Sequence, residues 1–304
     1  MQPYGGSEIQ LEYLQKYVSK DLLNKINLTI SIPEKNPLVI DKPNVLWIQN
    51  SYDQPNVAPW FTNKLNHRKY DWYVFNSHWV YEKFRYQFKI PTENSLVIKN
   101  GFGDDLILKN DYKPNKKIKL VYTSTPWRGL DVLLDAMEQV KSENIELDVY
   151  SSTQIYGNQF KELVDKEYIY LYEKAKLLKN VNYLGYSHHK DLIKVLHTYD
   201  VFVYPNHWEE TSCIAAIEAL ACGQVGLVTN NGALYETCSE FPIYVPYLNN
   251  KKLLANQFAY AIECLPDIIN NVSFEQIKFQ MDFYKKFYHW SVIKNYWERF
   301  LNGI

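Results

Sequence analysis

Short β-rich runs alternate along this chain with longer segments whose apolar residues recur every three or four positions. "INLTISI" (26–32), "NVLWIQ" (44–49), "WYVFN" (72–76) and "SLVIKNG" (95–101) read as strands, with "SEIQLEYLQKYV" and "WVYEKFRYQF" as helices among them. A polar, basic stretch with a proline, "DYKPNKKIK" (111–119), reads as a linker. A second alternation follows. "LVYTS" (120–124), "ELDVYS" (146–151), "VNYLG" (181–185), "VFVYP" (201–205) and "VGLVT" (225–229) are strands. Between them lie "GLDVLLDAMEQV", "HKDLIKVLHTY" and a small-residue segment from Ser212 to Cys222, all helical. Strands alternating with helices imply parallel βαβ units. Two such series predict an α/β protein of two Rossmann-like halves with parallel sheets, whose ligand sits beyond the carboxyl ends of the strands. The amphipathic segment at the end, about 284–304, is free to dock on either half, including back on the first.

Length and composition narrow the function. At 304 residues the chain suits two domains rather than one core. A formal net charge of −1 gives no surplus of Lys and Arg, so a nucleic-acid partner is not expected. Cys213, Cys222, Cys238 and Cys264 show no CxxC pairing and no His at ligand spacing, which argues against zinc and against a disulfide framework. Free thiols suit a reducing cytosol, so a cytoplasmic protein is expected. The opening "MQPYGGSEIQ" lacks the basic and apolar regions of a signal peptide, and no run is apolar enough for a membrane span. The abundance of aromatic residues, including 26 Tyr, matches an AT-rich coding composition as well as any function and excludes nothing.

The stretch richest in chemistry is "NHWEETSCIAAIEALACG", residues 206–223. The strand before it stops at Pro205, and a loop carries His207, Trp208, Glu209 and Glu210. Thr211 or Ser212 is placed to cap the following helix, and Gly223 to end it. Free N–H groups and a positive dipole end at that helix start favour an anion such as a diphosphate. Glu210 repels phosphate but can accept hydrogen bonds from sugar hydroxyls. Glu218 follows about two turns later, roughly 10 Å away at ~1.5 Å rise per residue. Two carboxylates at that separation suit opposite ends of one nucleotide-sugar.

"EETSCIAAIEALACG" resembles the E-x7-E signature of retaining GT-B glycosyltransferases, above all glycosyltransferase family 4. The resemblance implies that Glu210 contacts the transferred sugar and Glu218 the ribose. "LVYTSTPWRGLDVLLDAM" resembles the strand, loop and helix that open the family's C-terminal domain, with Arg128 where a basic residue grips the donor diphosphate. "VNYLGYSHHKDL" resembles the base-contacting loop, at Gly185 and Tyr186, and "NNGALYET" the Gly–x–x–x–Glu turn, at Gly232 and Glu236. "PYGGSE" resembles the Gly-Gly loop of the N-terminal domain, and "LVIKNGF" the strand ending in Asn-Gly before the linker. The resemblance implies the GT-B fold, with an acceptor-side domain at 1–110 and a nucleotide-sugar-binding domain at 117–283. It implies a UDP- or GDP-sugar donor, Ser124, Thr125, Thr211, Ser212 and Cys213 beside Gly5 and Gly6 in the donor site, and no cofactor.

The departures matter too. The family pattern has a strand before the Gly-Gly loop, and this sequence starts almost at the loop. A second basic residue is usual where Thr123 stands, and a His near the acceptor where Gln49 stands. Hydroxyls of Thr123, Ser124 and Thr125 can still donate to phosphate. No Asp-x-Asp motif ends a strand, so metal-independent transfer is expected; Asp104 and Asp105 are read as caps of a linker helix. The basic and aromatic stretch 64–89 is read as a buried strand beside a solvated helix, with acceptor or peripheral membrane contact as the alternative. Gln49, Asn50, His78 and Trp79 are the acceptor-side candidates, the acceptor itself (sugar, glycan, lipid or protein) being unspecified. His188 and His189 are expected to face solvent. The leading expectation is a hexosyltransferase with Glu210 and Arg128 as catalytic residues; the alternatives are a catalytically weak or inactive nucleotide-sugar-binding protein and a sugar-nucleotide epimerase.

Overall fold

The computed structural model describes residues 4–304, so the first three residues of the opening segment lie outside the described part. Helix α1 (Gly6–Tyr17) leads into a sheet of β1 (Asn27–Ile30), β2 (Asn44–Ile48), β3 (Trp72–Phe75) and β4 (Ser95–Val97), in the order β1-β2-β3-β4, with α2 (His78–Phe88) between β3 and β4. All three pairings are parallel. A parallel strand covered on both faces is apolar throughout, and every residue of β2 is buried. Alternate side chains feed different layers: Val45 and Trp47 pack with Trp290 and Trp297, while Leu46 and Ile48 pack with Phe61, Tyr73 and Phe75.

The second sheet holds β5 (Ile118–Thr123), β6 (Ile145–Tyr150), β7 (Val181–Tyr183), β8 (Val201–Tyr204), β9 (Val225–Thr229) and β10 (Ile243–Val245). Its order is β10-β9-β8-β5-β6-β7, again parallel throughout. The chain runs outward from β5 through β6 to β7, then returns to β8 on the other side and continues outward. The switch point therefore lies between β5 and β8, where a crevice opens above the carboxyl ends. Helices α3 (Leu130–Met137), α4 (His189–Val195) and α5 (Ile214–Ala221) follow β5, β7 and β8. The apolar face of α3 carries Leu130, Leu133, Leu134 and Met137 into a core shared with β5, β6 and β8.

Two strands of chain join the halves side by side. Phe102, leaving the first sheet, pairs with His289 between α6 (Phe274–Tyr288) and α7 (Trp290–Asn302). The question of where the final helix docks is answered by tryptophan packing. Trp297 of α7 meets Trp47 edge-on at 4.9 Å, so α7 covers the first sheet. Buried Gln10 fastens this junction, donating to the Gly101 carbonyl (2.8 Å) and accepting from the Gly101 N–H (2.9 Å) and the Trp290 indole (3.0 Å).

Two local expectations are corrected. No helix follows Asp104 and Asp105; these carboxylates accept from Tyr17 and Tyr13 of α1 instead. Neither Thr211 nor Ser212 caps α5, which starts one or two residues later behind Cys213, itself in left-handed backbone conformation. The Thr211 hydroxyl is drawn across the crevice, donating to the Gln49 carbonyl at 3.0 Å, and the Ser212 carbonyl accepts from Thr237.

Candidate active site

A cleft of about 620 Å³ lies between the two sheets, within the range for small-molecule sites. Its centre is the β5/β8 switch point. The loop after β5 carries Ser124, Thr125 and Arg128; the loop after β8 carries Glu210 to Cys213. Two glycines let these loops meet. Gly129 has φ +101°, and a Cβ there would sit 2.2 Å from the Pro205 carbonyl oxygen. Gly232 has φ +64°, and a Cβ there would sit 2.3 Å from the Glu210 nitrogen, because the two residues form a parallel bridge. Only glycine fits both the conformation and the approach.

Arg128 and Glu210 form a direct ion pair; the Glu210 side chain is 3% exposed and the Arg128 side chain 25%. Burial disfavours the charged guanidinium, but the adjacent Glu210 outweighs that and holds Arg128 protonated. The buried Tyr204 hydroxyl, at the end of β8, donates to the same Glu210 oxygen at 2.5 Å and lies 3.3 Å from the Ser124 hydroxyl. Burial and then the Glu210 charge push the Tyr204 phenol far above its usual range, so it remains a donor. The same two causes keep the Cys213 thiol neutral, which removes it as a nucleophile.

Glu218 lies inside α5, 4% exposed. Its carboxylate meets His189 Nε2 at 2.6 Å. His189 therefore does not face solvent: its side chain is 10% exposed. Burial works against a charged imidazole, yet the charge and hydrogen bond of Glu218 prevail and raise its pKa. The cleft also holds polar atoms awaiting partners. The Thr125 hydroxyl, the Ser151 hydroxyl and Arg128 Nε are buried without hydrogen bonds, and all three residues line the cleft. Native proteins leave few such groups, and these three are placed to pair with a polar ligand in the cleft. No side chain caps α5, so its first N–H groups add to that unmet demand.

Residues 108–265, just over half of the chain, match the family model described as glycosyl transferases group 1. The chain belongs to the group 1 glycosyl transferases.

No curated relative matches the sequence of this group 1 glycosyl transferase. Among solved structures it is similar to Anabaena Alr3699/HepE in complex with UDP and glucose, with TM-score 0.65 and 16% identity over 86% of this chain and 72% of that one. It is similar to a glycosyltransferase from Rickettsia africae, with TM-score 0.65 and 16% identity over 97% and 81%. It also resembles the pneumococcal O-GlcNAc transferase GtfA in complex with UDP and GlcNAc, with TM-score 0.67 and 14% identity over 99% and 60%. These likenesses establish the fold, which is GT-B.

The cleft of this glycosyl transferase gathers Gly5, Gly6, Gln49, Asn50, Ser124, Thr125, Arg128, Gly185, Tyr186, Glu210, Thr211, Ser212, Cys213 and Glu218 on its walls. The Gly-Gly loop closes against α5: a Cβ on Gly6 would meet Ile214 at 3.0 Å. Gln49 reaches the wall, but its side-chain amide is committed to Asn76 and Asn100. His78 and Trp79 do not line the cleft. Glu236 accepts from their backbone N–H groups at 3.0 and 2.9 Å, tying the start of α2 to the second half of the molecule. His78 then lines a separate cavity of about 380 Å³ with Lys99 and Tyr288, and Trp79 packs under Lys83. Sequence reading missed Tyr204, Lys35 and the aromatic group of Trp127, Tyr156 and Phe160 in the cleft wall. Tyr204 carried a legible signal, the last position of a strand beside the switch point. Among the described residues no three His, Cys, Asp or Glu side chains are grouped to hold a metal ion, and no helix is long and apolar enough to cross a membrane.

Proposed function

We propose that this protein is a retaining hexosyltransferase of the family 4 type, with Glu210 and Glu218 as its E-x7-E pair. The donor is a nucleoside diphosphate hexose, with a UDP-sugar the first candidate because the HepE structures hold UDP, UDP-glucose, and UDP with glucose. One observation carries the reading: Arg128, Glu210 and an uncapped helix start meet at the switch point, with Glu218 buried deeper in the same cleft. In this reading residues 117–283 hold the donor, while 1–110, with the returning helix, face the acceptor.

The diphosphate lies against Arg128, the Thr125 hydroxyl and the first N–H groups of α5, and the ribose hydroxyls donate to Glu218. Glu210 accepts from the hexose hydroxyls and fixes the ring. As the bond from C1 to the diphosphate oxygen breaks, its electron pair passes to that oxygen, where the guanidinium and helix dipole stabilise it. The acceptor oxygen bonds to C1 on the same face, and its proton passes to the departing phosphate oxygen. Arg128 and α5 supply the positive field in this scheme, and transfer proceeds without a divalent cation.

The test is transfer or slow hydrolysis of UDP- and GDP-hexoses by wild type and Glu210→Ala, with EDTA present. Glu210→Ala is expected to abolish turnover while nucleotide affinity stays near wild type. Wild-type turnover by Glu210→Ala would remove Glu210 from the reaction, and binding by wild type with neither transfer nor hydrolysis would make the protein a binding module.

A further inference from the structure

The charges lining the cleft are unevenly matched. Its acids are Glu8, Glu210 and Glu218; its cations are Arg128, Lys35 and His189 when protonated. Glu8 turns to the Gly5 N–H at 3.0 Å, Glu210 holds Arg128, and Glu218 holds His189 at 2.6 Å. Among the described residues Lys35 has no ion-pair partner. Its neighbour cannot supply one: the Glu34 carboxylate is turned away to Lys69 at 2.5 Å.

Lys35 is held at the cleft by a fixed turn. Ser31 and Glu34 both adopt positive φ, at 66° and 58°, a conformation that costs a non-glycine residue energy and is held only by its surroundings. Ser31 donates its N–H to the Trp47 carbonyl (2.9 Å) and exchanges a hydroxyl hydrogen bond with Ser7 at the start of α1 (2.9 Å). The Glu34 N–H donates to the buried Tyr70 hydroxyl at 2.8 Å. The turn is thus tied to the sheet, to α1 and to Tyr70, and it places Lys35 on the cleft wall.

A diphosphate entering here brings at least two negative charges to a site whose guanidinium is already shared with Glu210. We propose that Lys35 grips the diphosphate from the first half of the molecule, opposite Arg128 in the second, and makes up the charge that Arg128 alone cannot. The inference rests on the donor reading above and extends it: the ligand class is a nucleoside diphosphate, and recognition of its phosphates is divided between the two halves.

Calorimetric titration of wild type, Lys35→Gln and Lys35→Arg with UDP, GDP, uridine and guanosine tests this. Lys35 is exposed, so neither variant disturbs the core. Lys35→Gln is expected to lose roughly tenfold in affinity for the diphosphate, as for one charge-assisted hydrogen bond. Affinity for the matching nucleoside should stay unchanged, and Lys35→Arg should recover the diphosphate. Equal diphosphate affinity in wild type and Lys35→Gln, or a parallel loss for the nucleoside, overturns the assignment while leaving the donor site standing. Failure of wild type itself to bind UDP or GDP overturns the donor reading and the role of Lys35 with it.

Discussion

Tyr204→Phe removes one oxygen from the middle of the candidate site and little else. The hydroxyl is buried, donates to Glu210 at 2.5 Å, and its ring lies in the second-sheet core, where phenylalanine fills the same space. Glu210 is then left with Arg128 as its side-chain partner, and a donor diphosphate competes for Arg128. A hydrogen bond to a charged group contributes about 1.5–3 kcal/mol. If Glu210 must hold the hexose as C1 departs, that loss appears mainly in turnover, as a fall of roughly 10- to 150-fold at about 1.4 kcal/mol per decade. Affinity for UDP should change little, because the phenol does not face the ribose end at Glu218. The assay is steady-state donor hydrolysis and transfer, separating kcat from KM, with UDP titration and thermal melting on the same preparation. A kcat within twofold of wild type, in a protein whose Glu210→Ala variant is dead, would refute the idea that Tyr204 positions the carboxylate.

Three further expectations follow from the same geometry. Glu218→Ala should weaken nucleotide diphosphate binding by about 1–3 kcal/mol if buried ribose hydrogen bonds are lost, measured by calorimetry; unchanged affinity would move the ribose elsewhere. His189 has its pKa raised above 6.5 by Glu218 despite burial, so the stability it contributes is fully present below about pH 6.5 and is lost as pH climbs through the raised value. The stability gap between wild type and His189→Gln in denaturant melts should accordingly shrink with rising pH, and a widening gap would contradict the pairing. Gly232→Ala forces a Cβ to within 2.3 Å of the Glu210 nitrogen at positive φ, so it should lower stability by at least about 1–3 kcal/mol and displace Glu210; wild-type melting and turnover would show that the loop yields freely.

The fold was legible because parallel strands covered on both faces leave short apolar runs, and most such runs here became strands within a residue or two of their expected limits; the run 95–101 stops at Val97, and the short edge strand β10 was not anticipated. Helix α5 was legible in its body, not at its start. Thr211 has the chemistry of a cap, but the first half of the molecule offers it the Gln49 carbonyl, and a contact across 162 positions leaves no local trace. His189 misled for the same reason: the side chain at a helix start turns inward only because Glu218 is waiting there. His78 and Trp79 follow a strand end, where ligand contacts are common, yet Glu236 from the other half claims their N–H groups. Lys35 sits in a loop with no motif. Its interest comes from charges gathered from several distant segments around one cleft.

The roles given to Arg128, Glu210 and Glu218 stand or fall on where the nucleotide lies. A crystal structure of the protein soaked with UDP, or GDP if only that binds, tests them directly. The β-phosphate is expected at Arg128 and the first N–H groups of α5, and the ribose hydroxyls on Glu218. A nucleotide bound away from the β5/β8 switch point, with Arg128 still closed on Glu210 and Glu218 still on His189, would contradict them.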